Sequence, residues 1–468
     1  MSSFLKIATT SLAGTSLPLL LAAAAPAVAQ TGTAPWYKEV LLVKDGAAAL
    51  DTGDGRPSLD GRWNEESRSG HAAPVFHDYT GDGLPDLIVG DFSGWFRLYT
   101  NHGTRNAPAF NGYEPLQADG ADARLGNFCC TATGVRFADI DGDGVQDLTA
   151  GSYLPGMIYW FPGKPGGHLG SRQALTTRGG LPILARLNEA AVGGGYNNYA
   201  AKPAWMDWDG DGKLDLLIGD AQGDLLVRRN TGLAHFKGLT VHSSQPTFEA
   251  GTETRGAAEN IFGAIKGGGG EFADEEYLSP VTTDWNGDEL VDLVVATQSG
   301  AVYLLLNTGS QGEPSFAPPI KLLPSTPGGE FTNPQLVRRG DDEILRGSRA
   351  SVDVADWNGD GKLDLIVGDW ARSWLLRSNL SAAEESGLKQ VLAKLVALDK
   401  RAGLQGEEPL RDRHKGAPIY FENEKLGAEL ATLEAELTTF LEPRGKEKST
   451  RLSDFERNHG HVRVYLRR

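Results

Sequence analysis

Short apolar runs recur along the chain: Leu87-Ile88-Val89-Gly90, Leu148-Thr149-Ala150-Gly151, Leu216-Leu217-Ile218-Gly219, Leu293-Val294-Val295-Ala296 and Leu365-Ile366-Val367-Gly368. They are continuous rather than alternating, which fits strands buried on both faces. Alternating segments follow at Trp95 to Asn101, Asp224 to Asn230 and Ala301 to Asn307. A Pro-x-Phe step comes next at Pro108, Pro246 and Pro314, and reads as the opening of a further strand. Each unit therefore reads as a four-stranded antiparallel sheet. Repeated sheets of this kind bury both faces by packing radially, so the expected fold is all-β, a β-propeller. At the ends, Val462, Val464 and Leu466 alternate like a third strand, and Pro35-Trp36-Tyr37 followed by Val40 to Val43 resembles the entry to a fourth. The two ends then complete one blade whose first two strands come from the last repeat. This count favours five blades, and the long connections leave room for six or seven.

The period changes over 381–450. Leu388, Val391, Leu392, Leu395 and Leu398 share one helical face, and Leu426, Leu430, Leu433, Leu437 and Phe440 or Leu441 share another. This predicts a helical hairpin inserted within the last blade, serving either as packing against the propeller or as an arm for a partner. The expected organisation is an export signal at 1–29, the propeller at 30–380, the hairpin at 381–450 and a closing segment at 451–468.

Between the first two strands of each unit lies a carboxylate loop. Asp78, Thr80, Asp82 and Asp86 form the first, and Asp139, Asp141, Asp143 and Asp147 the second. Asp207, Asp209, Asp211 and Asp215 form the third, and Asp284, Asn286, Asp288 and Asp292 the fourth. The fifth holds Asp356, Asn358, Asp360 and Asp364. These are loop positions one, three, five and nine. Calcium takes six to eight oxygens, and short aspartate arms on a sharply turning chain can supply them. Glycines at positions four and six permit the turn, except that Glu289 holds position six of the fourth loop. Position twelve is Val89, Ala150, Ile218, Val295 or Val367, so the bidentate glutamate of an EF-hand is missing. One such loop can be an ordinary turn, which needs only one or two of these residues; five with the same spacing point to up to five bound Ca2+ ions.

The five motifs resemble FG-GAP or VCBS repeats, the calcium-loop repeats of integrin alpha-subunit propellers and of secreted bacterial proteins. The resemblance covers about residues 35–370 and the C-terminal strand. The Asp-x-Asp-Gly-Asp-Gly-x-x-Asp core is complete in loops two and three. It implies a calcium-stabilised propeller used in adhesion, carbohydrate binding or protein interaction, and fixes no ligand.

Composition narrows the partners. Net charge is −16, which disfavours nucleic acid because phosphate binding needs a basic surface. Sixty glycines suit many tight turns. The apolar stretch from Leu12 to Ala25 and the small-x-small Ala27-Val28-Ala29 predict a cleaved secretory signal, a secreted protein (extracellular, periplasmic or cell-surface) and no transmembrane segment afterwards. Adjacent Cys129 and Cys130 are either a vicinal disulfide or two buried thiols. Arg339-Gly340-Asp341 is read as a chance tripeptide, Gly267 to Gly270 as a flexible connection, and His459 and His461 as a solvated strand end rather than a metal site. No Gly-x-Ser-x-Gly elbow or His-Glu-x-x-His helix occurs, and no catalytic residue is assigned. The favoured function is a non-catalytic module for a glycan or extracellular protein. The alternative is a propeller enzyme such as a polysaccharide lyase or hydrolase.

Overall fold

In chain order the principal strands begin with β1 (Tyr37–Leu42), β2 (Ala73–His77), β3 (Asp86–Gly90), β4 (Phe96–Tyr99) and β5 (Glu114–Pro115). Next come β6 (Thr133–Ala138), β7 (Asp147–Gly151), β8 (Ile158–Phe161) and β9 (Gln173–Ala174), then β10 (Lys202–Met206), β11 (Asp215–Gly219) and β12 (Leu225–Arg228). After these come β13 (Ser279–Thr283), β14 (Asp292–Ala296), β15 (Val302–Leu305), β16 (Ile320–Leu323), β17 (Gln335–Arg338), β18 (Ser348–Ala355) and β19 (Asp364–Leu376). Helices α1 (Ala382–Arg401) and α2 (Glu424–Thr438) precede β20 (Glu456–His459) and β21 (Val462–Arg467). The computed structural model describes residues 36–53, 70–125, 133–153, 156–185, 200–233, 246–248, 275–326, 335–338, 346–403, 419–420, 422–443 and 452–468. The signal segment, Cys129 and Cys130, the Arg339-Gly340-Asp341 tripeptide and Gly267 to Gly270 lie outside them.

Every continuous apolar run is the second strand of a sheet and is buried throughout. Four sheets are four-stranded and antiparallel: β2-β3-β4-β5, β6-β7-β8-β9, β13-β14-β15-β16 and β18-β19-β21-β1. The third blade has β10-β11-β12, and Pro246–Phe248 pairs instead with the segment Asn230–Leu233 that follows β12. The first strands stand side by side in the order β2, β6, β10, β13, β18, and β18 returns to β2. The ring is thus closed with five blades. Neighbouring blades share cores: Val75, Ile88 and Phe96 of the first meet Val135, Leu148 and Phe161 of the second. Each such side chain contributes about 1.5–3 kcal/mol of burial.

Closure takes the form the chain ends suggest. Val40 faces Tyr465 and Leu41 faces Val464, so the N-terminal strand is the outer strand of the blade that holds the C-terminal one. The Pro-x-Phe steps differ from expectation: at Pro108 and Pro314 they precede the fourth strands instead of opening them. The cause is an asparagine at the end of the third strand. Asn101 Oδ1 accepts the amides of Gly103 and Ala109, and Asn307 Oδ1 those of Gly309 and Ser315, so these residues fold back as a capped loop.

The thirteen-residue β19 runs beyond the ring, where β17 pairs with it in parallel and β20 antiparallel. Ser381 and Glu384 form a capping box that starts α1. The apolar faces of α1 and α2 meet each other, and they also cover Trp374 and Leu376 of β19 together with Leu452 and Phe455. The hairpin is therefore the lid of a small sheet and not a free arm.

Candidate functional site

All five loops repeat one hydrogen-bond scaffold. The position-one carboxylate accepts the amide of position six: Gly83, Gly144, Gly212, Glu289 and Gly361 donate to Asp78, Asp139, Asp207, Asp284 and Asp356 at 2.9–3.0 Å. The position-five carboxylate accepts the amide of position seven, from Leu84, Val145, Lys213, Leu290 and Lys362 at 2.8–3.0 Å. Position nine does two jobs. Its Oδ2 accepts a loop amide, from Thr80, Ile140, Trp208, Trp285 or Trp357. Its Oδ1 accepts an amide at or just after the end of the third strand, from Asn101, Gly163, Asn230, Asn307 or Arg467.

Of the four oxygens expected to converge, three do so in the two complete loops. One oxygen each from Asp139, Asp141 and Asp147 lies within 4.8 Å of the others, and Asp207, Asp209 and Asp215 do the same. Asp143 and Asp211 are not part of these groups. In loops four and five the position-three side chain instead donates to position five, Asn286 to Asp288 at 2.8 Å and Asn358 to Asp360 at 3.2 Å. The loops also differ in charge balance. Lys213 pairs with Asp211, and Arg229 lies 3.4 Å from Asp209. Lys38 lies 2.6 Å from Asp360, and Arg105 3.5 Å from Asp356. Among the described residues loop two has no ion pair. There, burial, together with the charges of Asp141 and Asp143, pushes the Asp147 carboxyl up to about 7 against the pull of its two amides. A cation among these oxygens would relieve that repulsion, so the donor set fits a hard divalent ion.

The other end of the ring carries a second constellation. Seven residues before the first aspartate of loops one, three, four and five stand His71, Ala200, Tyr277 and Arg349, all in left-handed backbone (φ 58°, 57°, 53° and 49°). The Arg349 guanidinium lies 4.7 Å from the Tyr277 ring and 4.9 Å from the Trp370 ring. His71 stacks between Phe92 and Trp370. The hydroxyls of Tyr153 and Tyr277 lie 3.1 Å apart, joining the second and fourth blades across the axis. Beneath this mouth, Lys202 reaches from the third blade to the Ala350 carbonyl of the fifth at 3.4 Å. Arg136 donates to the carbonyls of Pro280 and Val352. Burial, with Arg349 and Arg136 nearby, pulls the Lys202 ammonium down to about 7. None of these residues stood out in the sequence, because only the register of separate blades aligns them.

His459 and His461 correct the expectation of a solvated strand end. Both are buried, stacked 5.5 Å apart, and set against Asp51. His459 is the last residue of β20, paired with Ala371 of β19, and His461 follows two residues later, just before β21.

The fold and its sites define a five-bladed β-propeller with a carboxylate loop between the first two strands of every blade. More particularly, two stretches of the chain carry FG-GAP-like repeats: the FG-GAP-like repeat model matches residues 78–150 and 284–367. No curated protein matches it. Among solved structures it is similar to an Agrocybe aegerita lectin described for recognition of non-reducing terminal N-acetylglucosamine. That match has 17% identity and a TM-score of 0.30, covering 70% of this chain and 88% of the other. It is also similar to the GH43_1 enzyme from Xanthomonas citri, with 13% identity and a TM-score of 0.32, covering 65% and 83%. At these scores neither neighbour bears on ligand or reaction. No helix among the described residues is long and apolar enough to cross a membrane.

Proposed function

We propose that the protein is a secreted propeller whose loops take up calcium for stability and whose opposite mouth binds a glycan or an extracellular protein without turning it over. The observation that carries this reading is the aromatic and cationic mouth. Half-buried Tyr153 and Trp370 face the Arg349 guanidinium, and half-buried Phe92 packs on Tyr153 beside them; tryptophan, tyrosine and arginine are the residues that dominate binding surfaces. Strained backbone at His71, Tyr277 and Arg349 is concentrated at the same end, a distribution more typical of a site than of a scaffold. The calcium part rests on the oxygen-only loops. Asp78, Asp82 and Asp86, with Thr80, form the first donor set, and the equivalent residues form the other four. The ion would supply charge compensation and cross-linking there, and the chain's own amides hold the carboxylates in place.

The test is an array of immobilised glycans and extracellular proteins, followed by a product assay on every binder. Binding without turnover, weakened at least tenfold by Trp370→Ala and by Tyr153→Ala, is expected. Turnover of a bound glycan, or binding indifferent to both substitutions, would contradict it.

A further inference from the structure

Where the chain ends meet, two short backbone segments run in close contact. Residues 51–53 lie against 458–461, and only glycine fits at the crossing. A Cβ on Gly53 would come within 1.9 Å of the Asn458 carbonyl oxygen, and one on Gly460 within 2.1 Å of Thr52 Oγ1. This packing sets three side chains around one point. His459 Nδ1 lies 2.6 Å and His461 Nε2 3.8 Å from Asp51 Oδ2. One ligand atom from each of the three lies within 4.8 Å of the others.

We propose that Asp51, His459 and His461 form a binding site for a first-row divalent metal such as zinc, separate from the carboxylate loops. Two imidazoles and one carboxylate are the donors such ions select, whereas the loops offer oxygen alone. With bonds of about 2.0–2.2 Å, ligand atoms sit roughly 3–3.4 Å apart, and the observed separations straddle that distance. The surroundings are those of a built site. Ser373 Oγ lies 2.7 Å from His459 Nε2, which fixes the ring and leaves Nδ1 for the metal. The other oxygen of Asp51 accepts the amides of Gly53 and Gly460 at 2.8 and 2.9 Å. His461 is 4% exposed, and its Nδ1 has no hydrogen-bond partner among the described residues. His461 Nε2 stands 3.8 Å from Asp51 Oδ2, too far for a direct hydrogen bond, and an ion between the two atoms would satisfy both. Ser373, His459 and Asp51 also form a hydrogen-bonded chain of the kind that activates a nucleophile. Ser373 is 1% exposed on the central strand of its sheet, so it is better placed to orient the histidine than to meet a substrate. A metal here would tie the N-terminal segment to the segment leading into the closing strand.

The test uses the full chain, saturated with calcium, stripped with a transition-metal chelator and then given zinc or cobalt(II). One zinc per chain should remain after gel filtration and raise the melting temperature. His461→Asn and Asp51→Asn should each lose at least nine tenths of that zinc, and Ser373→Ala should keep the site with about tenfold weaker affinity. The cobalt form should show visible bands of mixed nitrogen and oxygen ligation. No zinc retained by the folded wild type, or equal retention in His461→Asn, overturns the proposal. Should the variants fail to fold, the wild-type cobalt spectrum decides: histidine ligation upholds the site, and oxygen-only ligation overturns it.

Discussion

At Glu289 the backbone takes φ 69°, in the loop position where the other four repeats place Gly83, Gly144, Gly212 and Gly361 at 82–90°. A residue with a Cβ pays about 1–2 kcal/mol for that conformation. A Cβ at any of the four glycines would meet nothing within 4 Å, so the cost is conformational and not steric crowding by neighbours. Glu289→Gly is therefore expected to stabilise the protein by about 1 kcal/mol in urea unfolding, and a loss of stability would contradict the reading of strain. Lys202 bears a different cost, that of a buried charge. Its folded-state value, pulled down to about 7 by burial, lies below its ordinary value of about 10.4 in the unfolded chain. Between these limits the unfolded state holds a proton that the folded state lacks, so stability rises with pH. Below 7 both states are charged and the full desolvation cost remains. Lys202→Met should gain most over wild type at pH 6, with the gain shrinking towards pH 10. A gain independent of pH would show that the ammonium is not the source of the cost.

Within one blade, the position-nine aspartate and the position-three aspartate have separable roles. Asp147 accepts the amides of Ile140 and Gly163, and so joins the loop to the end of the third strand with or without an ion. Asp141 faces the cluster and otherwise accepts only the exposed Asp143 amide at 3.2 Å, an amide that Asp139 also accepts at 3.0 Å. Asp147→Ala should cost about 2–4 kcal/mol even in chelator, because two buried donors lose their acceptor. Asp141→Ala should lower only the increment that calcium adds, and equal losses for the two in chelator would refute the division. The sequence displayed the loops because their spacing is local, held within nine residues. It displayed the second strands because full burial leaves unbroken apolar runs such as Leu293-Val294-Val295. It did not display the second duty of position nine, since Asn101 or Gly163 lies fifteen or sixteen residues further on. Nor did it reveal that Asp51 meets His459, a contact across 408 positions of the chain. The helical stripes were legible as helices, but their partner was not: Trp374 and Leu376 sit on a strand whose first half reads as a blade.

Across the whole molecule the five blades form one ring, and its closure rests on β1 pairing with β21. Carboxylates recur around one end and work against the stability of that ring. The chain carries −16, and its loops gather aspartates whose mutual repulsion the amides offset only in part. Five calcium ions would add ten positive charges where the repulsion is greatest. Each site that bound calcium would raise stability by about 2.7 kcal/mol at a hundredfold excess over its Kd. Loop two, with a complete carboxylate set and no competing cation among the described residues, should fill first. Loop four, which carries Glu289, should fill last. The most direct measurement is the melting temperature of the full chain with calcium, after chelation, and after restoring calcium or magnesium. A fall on chelation that calcium reverses and magnesium does not is the expected result; an unchanged melt after verified removal of calcium would contradict it.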